Sequence, residues 1–172
     1  MCAAFRPSEP VLISSRRNPL VRQLRGLHSA SGRREQNLLL LEGTHLAQEV
    51  LRLALPLRQL IASERWRLNH ASLLAALEQL GGASLQQVVA TDEVLTAIAT
   101  TEHPDGVVLT LAPPSHGAPA AIGFGLVLDG IQDPGNLGTL MRTALAAGIE
   151  QVWLAGGADP WQPKVLRASA GA

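Results

Sequence analysis

Four short apolar runs punctuate the first two thirds of the chain, and their spacing restricts the fold more than any other feature. They are NLLLLEG (Asn37–Gly43), RQLIAS (Arg58–Ser63), LQQVVA (Leu85–Ala90) and GVVLTL (Gly106–Leu111). Runs this short, bounded by turn residues, have the length of strands and not of helices. The segments before and between them have helical spacing. Asn18-Pro19 reads as a cap and first helical residue, after which Leu20, Leu24 and Leu27 recur on one stripe with Arg22 and Arg25 off it. Thr44 is placed to cap a helix reaching about Ala54. His70–Leu80 is alanine- and leucine-rich and stops at Gly81-Gly82, and Thr91 caps a helix in which Val94, Leu95 and Ile98 share a face. Alternation of this kind predicts an α/β fold, with a largely parallel sheet between helices.

The segment APPSHGAPAA breaks the pattern. Its prolines and small residues cannot build a packed element, so it reads as a linker over 112–121, dividing the chain into 1–111 and 122–172. The second part restarts with a strand, GFGLVLD (Gly123–Asp129), a polar turn, a helix from about Leu137 to Ala147 closed by Gly148, and a strand QVWLA (Gln151–Ala155). This is a βαβ unit with a right-handed crossover. A last helix opens at Pro163.

Charge is distributed unevenly. The 172 residues are formally neutral, yet positions 1–34 hold seven arginines against Glu9 alone, a net +6 that the remainder must balance with −6. A basic arm on a mildly acidic body points to a polyanionic partner, and a solvated helix face is the plain alternative. Aromatic residues are only 3% of the chain, too few for a base-stacking platform of the kind that binds single strands, so the tryptophans read as core or edge residues. The single cysteine, Cys2, excludes an intrachain disulfide and fits a reducing compartment. The N-terminus lacks the apolar core of a signal peptide, and no apolar run approaches the roughly 18 residues of a membrane span. The expectation is a soluble, cytoplasmic protein without a metal site.

Chemistry concentrates in LDGIQDPGNLGTLMRTALAAG, Leu128–Gly148. In βαβ sheets, ligands bind beyond the carboxyl ends of the strands, which is where this turn lies. At about 100° per residue, Leu137, Leu140, Met141, Ala144, Leu145 and Gly148 form one stripe with Arg142 at its edge. Asn136 is placed to cap the helix, and Gly135 and Gly138 permit close approach of another segment. Asn136 and Arg142 are thereby expected to face one space, where a helix N-terminus favours an anion. A plain cap and a plain surface arginine would satisfy the same spacing. The glycine pattern matches neither a phosphate loop of the G-x-x-x-x-G-K-[ST] kind nor G-x-G-x-x-G.

The complete string is more specific. It closely resembles the first motif of the SpoU (TrmH-type) RNA ribose methyltransferases of the knotted SPOUT class, with Asp129, Asp133-Pro134-Gly135-Asn136, Gly138, Arg142, Ala144 and Gly148 at the motif's positions. PKVLRASAGA resembles the helix that follows. ISSRRNPLVRQLRGL and LLLLEGTHLAQEVL are similar to the start of that family's substrate-binding domain, and HPDGVVLTL to its last strand. The resemblance implies a ribosomal-protein-like α/β/α RNA-binding domain followed by the first part of an α/β-knot methyltransferase domain. It implies transfer of a methyl group from S-adenosylmethionine to a ribose 2′-hydroxyl of rRNA or tRNA, in a homodimer when full length. Asn136 would shape the catalytic pocket, and Arg142 would act at the 2′-hydroxyl or its adjacent phosphate. Arg16, Arg17, Arg22 and Arg25 would contact RNA, and Glu42 would be neither acid nor base.

The family's two later motifs, which build the knot and most of the S-adenosylmethionine pocket, have no counterpart before Ala172. No cofactor-binding residue is therefore assigned, and the 172-residue chain is expected to be inactive by itself. An RNA-binding remnant without enzymatic activity is the alternative reading. A generic nucleotide-binding βαβ protein is a third, disfavoured by the missing phosphate loop.

Overall fold

The computed structural model describes residues 10–114 and 123–172. Cys2 and most of the expected linker, 115–121, lie outside the described residues.

The first unit runs β1 (Val11–Ile13), α1 (Pro19–Gly26), α2 (Ala30–Gln36), β2 (Leu39–Glu42), α3 (Thr44–Arg52), β3 (Leu57–Ala62), α4 (Glu64–Asn69), α5 (Ala71–Gly81), β4 (Gln86–Ala90), α6 (Asp92–Ile98) and β5 (Val107–Leu111). Its sheet has the order β1-β4-β3-β5-β2. The period-two alternation of the strands splits the core into two layers. Leu39, Leu41, Leu109 and Leu111 face α3, α4 and α5, where Leu46, Val50, Trp66 and Leu77 are buried. Leu40, Ile61, Val88 and Val108 face α1 and α6, where Leu24, Leu27, Leu95 and Ile98 are buried. The α/β/α layering is as expected.

The strand directions correct the sequence reading. β1, β4 and β3 are parallel, but β5 is antiparallel to both of its neighbours, β3 and β2. The physical reason is the connection. Helix α6 has seven residues, which rise only about 10 Å, less than the length of strand it would have to recross. The following loop stays at the same edge, where Ser63 N–H donates to Gly106 C=O (2.9 Å) and Gly43 N–H to Val107 C=O (3.1 Å). The chain re-enters the sheet from there in reverse. Two short elements also escaped sequence reading. β1 has three residues with Val11 and Leu12 exposed, and α2 contains no apolar stripe, its buried residue being Arg33.

The second unit comprises β6 (Gly125–Asp129), α7 (Pro134–Ala146), β7 (Gln151–Ala155) and α8 (Pro163–Ala168). β6 and β7 are parallel, with Leu128 beside Leu154. Leu128, Leu137 and Val165 form its small core. The opposite sheet face is open: Val127 and its neighbour Trp153 are exposed, at 64% and 39%. The tryptophans therefore divide. Trp66 is buried, Trp161 packs partly buried on the first unit's core, and Trp153 lies on an uncovered face.

Gly138 determines how α8 seats. A Cβ there would stand 2.5 Å from Ala168 Cβ and 2.7 Å from the Val165 carbonyl oxygen. The segment that approaches this glycine is thus α8 of the same chain. Gly138→Ala is expected to destabilise the protein by about 1–3 kcal/mol, the usual cost of overpacking a tight contact. Urea titration followed by tryptophan fluorescence measures it, and an unchanged midpoint would contradict this packing.

Candidate functional site

Three sets of polar residues stand out: a basic cleft after β1, a buried cluster at the carboxyl end of β2, and the motif region of the second unit. The first set is the basic arm. Asn18 Oδ1 accepts from Leu20 N–H (2.9 Å), starting α1 as expected. Arg16 and Arg17 precede this cap, and Arg22 and Arg25 follow on the outer face of the helix. All four are exposed and line one cleft with Gly26 and His28. Among the described residues none of the four has an ion-pair partner. Arg33, counted by the sequence with this arm, is instead internal. It donates to Leu27 C=O (2.7 Å) and His28 C=O (2.9 Å) and pairs with Asp159 of the second unit (2.5 Å).

The second set surrounds Glu42, whose side chain is 3% exposed. Its carboxylate accepts from Thr100 N–H (3.0 and 3.1 Å) and Thr100 Oγ1–H (2.8 Å), and pairs with Arg167 of α8 (2.8 Å). Beside it, Asp105 Oδ2 accepts from Thr44 N–H (2.8 Å). This corrects the expected cap: Gly43 precedes α3 without a side-chain bond, and Asp105 supplies the acceptor from another loop. The Thr44 hydroxyl accepts instead from Trp66 Nε1–H (2.8 Å).

The third set is the motif region. The cap of α7 is Asp133, whose Oδ1 accepts from Asn136 N–H (2.7 Å). Asn136 is therefore inside the first turn, not the cap, because Pro134 already begins the helix at its favoured position. Asn136 is exposed there. Arg142 lies farther along α7, also exposed, and among the described residues has no hydrogen-bond or ion-pair partner. It borders a cavity with His45, Glu49 and Arg52 of α3 and with the turn 169–172; Asn136 does not border that cavity. The two motif residues are not brought into one cavity.

His45, Glu49 and Arg52 were missed by sequence reading. Their signal was the i, i+4, i+7 spacing, which sets them on the polar face opposite Leu46 and Val50. Arg52 donates through Nε (2.8 Å) and Nη2 (2.6 Å) to one oxygen of Glu49. Those bonds hold the Glu49 carboxyl below the usual range against the opposing effect of burial, with the charges of Arg52 and His45 adding to them. The same bonds raise the Arg52 guanidinium.

The carboxyl-end turns of β6 and β7 close on each other. Ala158 N–H donates to Ile131 C=O (2.8 Å), and a Cβ on Gly157 would meet that carbonyl oxygen at 2.4 Å. Among the described residues there is no cluster of metal-ligating side chains and no helix long and apolar enough to cross a membrane.

Residues 18–109 match the model of the MRM3-like substrate binding domain, and residues 123–172 that of the SpoU rRNA Methylase family. The chain belongs to the SpoU rRNA methylase family, with an MRM3-like substrate-binding domain ahead of its methylase segment. It is 43% identical, over 95% of its length and 60% of the relative's, to an uncharacterized tRNA/rRNA methyltransferase of Synechocystis. It is 31% identical, over 92% and 60%, to the 23S rRNA (guanosine(2553)-2'-O)-methyltransferase RlmP of Bacillus subtilis. Among solved structures, an rRNA methyltransferase from Sinorhizobium meliloti superposes with a TM-score of 0.79 at 27% identity, covering 95% of this chain and 62% of that one. An RNA 2'-O ribose methyltransferase superposes at 0.72 with 30% identity, covering 94% and 62%. The chain thus spans about 60% of the length of these curated relatives.

The Glu42–Arg167 pair ties the units together at low exposure. Arg167→Ala leaves a buried carboxylate with only Thr100, so a loss of about 1.5–3 kcal/mol is expected, as for a hydrogen bond to a charged group. Chemical denaturation of the variant measures this, and a cost below about 0.5 kcal/mol, that of an ordinary surface change, would show that the pair does not couple the units.

Proposed function

We propose that this chain forms the RNA-binding unit and part of the catalytic unit of an RNA methyltransferase. The enzyme moves a methyl group from S-adenosylmethionine to a ribose 2′-hydroxyl of rRNA or tRNA. Residues 1–111 act as the substrate-binding unit, 112–121 as the linker, and 122–172 as the N-terminal part of the methyltransferase unit. The observation that carries the reading is Arg142: the motif's arginine lies exposed and unpaired beside the polar face of α3, so its charge is available to an anion.

Arg16, Arg17, Arg22 and Arg25 hold backbone phosphates in their acid-free cleft. Guanidinium groups remain protonated and present a planar fork suited to phosphate. Arg142 therefore serves by holding the phosphate next to the reacting hydroxyl, fixing that hydroxyl in line with the methyl group. Asn136, on the first turn of α7 and outside the Arg142 cavity, is the motif residue that shapes the catalytic pocket from the β6 side. S-adenosylmethionine supplies the electrophilic methyl group. The closed turns of β6 and β7 do not by themselves hold it, and no step is assigned to it on these residues. The open sheet face carrying Val127 and Trp153 supports homodimerisation of the complete protein, and the absence of a membrane-spanning helix among the described residues is compatible with a cytoplasmic enzyme. RNA binding without methyl transfer is the second reading, favoured by the basic cleft lying wholly in the first unit.

The test is Arg142→Ala in a chain carrying the remaining length of its relatives. Stability should stay within about 0.5 kcal/mol, as for a surface residue. Single-turnover methyl transfer to RNA should fall by about 10²–10⁴-fold, and Arg142→Lys should restore little of it because the fork is lost. Near-normal turnover in a folded Arg142→Ala enzyme would overturn the assignment.

A further inference from the structure

The cavity bordered by Arg142 joins residues of both units, and its composition is unusual for a simple packing gap. Helix α3 contributes His45, Glu49 and Arg52, and α7 contributes Arg142. The turn at Gly171 closes it. That turn needs glycine, because its φ is +83° and a Cβ would meet Glu49 Cγ at 3.0 Å. This contact brings the polar face of α3 against the end of the methylase segment.

We propose that His45 and Arg52 of α3, together with Arg142 of α7, form one site for a backbone phosphate of the bound RNA. The substrate-binding unit then completes the site of the motif arginine and does more than anchor RNA at a distance. The inference rests on the reading of the chain as part of an RNA methyltransferase.

Four observations support it. Arg52 is already oriented: its two bonds to a single Glu49 oxygen use one edge of the guanidinium and leave other N–H groups without a protein partner among the described residues. Glu49 pairs with Arg52 alone, and Arg142 has no ion-pair partner of its own among the described residues. The cavity, at ≈ 350 Å³, is in the range of about 300–1,000 Å³ typical of small-ligand sites and admits a phosphate with its sugar. His45, exposed at the start of α3, borders both this cavity and the adjoining one lined by Glu42, His103, Asp105 and Arg167. It therefore stands where a strand running between the two cavities would pass. Planar guanidinium forks from two directions suit the tetrahedral oxygens of a phosphodiester.

The probe is a short single-stranded RNA labelled with fluorescein, titrated with the 172-residue chain across a range of salt concentrations. Thermal melts confirm that each variant is folded. Arg52→Ala should weaken binding about tenfold with little change in salt slope, because Arg142 still holds the phosphate. His45→Ala should weaken binding as well. Arg52→Ala combined with Arg142→Ala should lower the slope by about 0.7, the value for one phosphate contact on a single strand, since both bind one group. Arg65→Ala, exposed on α4 and away from the cavity, should change nothing. Unchanged affinity in folded Arg52→Ala would overturn the shared site, as would a double variant that loses two phosphates. Replacing Arg16, Arg17, Arg22 and Arg25 together separates the two levels. If that variant loses the slope while the Arg52→Ala, Arg142→Ala double variant does not, the junction site fails and the RNA reading stands. If the unaltered chain shows no salt-dependent RNA binding, the RNA reading fails and takes the junction site with it.

Discussion

The architecture depends on a carboxylate that cannot be left alone. Glu42 ends β2 with its side chain almost wholly out of solvent, and an unpaired charge in that position would be strongly unfavourable. Thr100 supplies two donors from the loop after α6, and Arg167 supplies the charge from α8. The Thr100 hydroxyl closes the network, donating to Glu42 and accepting from Arg167 (2.6 Å). Satisfying one buried group therefore fixes three segments: the edge of the first sheet, the loop that reverses β5, and the last helix of the second unit. Arg33 and Asp159 make a second clasp between the same two units, and Trp161 and Leu166 add apolar contact to the first unit's core.

This clasp places α7 relative to α3. With α8 held against Glu42, and Gly138 admitting α8 against α7, the middle of α7 faces the polar side of α3. The basic arm follows the carboxyl end of β1, the outer strand at the other end of the sheet from β2. The arginine cleft and the junction where Arg142 lies are thus separate sites, one after β1 and one along α3. An α/β sheet offers its ligands the carboxyl ends of its strands in any case, because loops there are free of the core's packing demands. Here a second unit docks along the edge strand β2 and contributes charges of its own, from Asp159, paired with Arg33 before β2, to Arg167 at its carboxyl end.

How much of this was legible varies by residue and for physical reasons. Strands β2 to β5 were readable because continuous apolar runs leave few alternatives, unlike the three-residue, half-exposed β1, and Asn18 and Thr91 were readable as caps because their side-chain bonds are local. Asn136 was misassigned because Asp133, three residues earlier, has the same capping chemistry and sits directly before a proline. Thr44 looked like a cap, but its N–H is satisfied by Asp105 from a loop 61 residues away, a partner that no local pattern reveals. The direction of β5 was set by the shortness of α6 and not by any motif. The cationic stretch of the arm was visible, yet its division into exposed Arg16, Arg17, Arg22 and Arg25 and internal Arg33 depends on Asp159, far along the chain. Arg142 could be singled out from its motif, whereas its neighbours His45 and Arg52 come from another unit and become its neighbours only through the docking of α8.

On the proposed function, RNA lies across both units. Hydrogen exchange followed by mass spectrometry, with and without a single-stranded RNA, tests it directly. Slowed exchange is expected in three places: the segment after β1 through α1, the exposed face of α3, and the later turns of α7 with the turn at Gly171. Slowed exchange confined to β1 and α1, with α3 and α7 unaffected at saturating RNA, would contradict it.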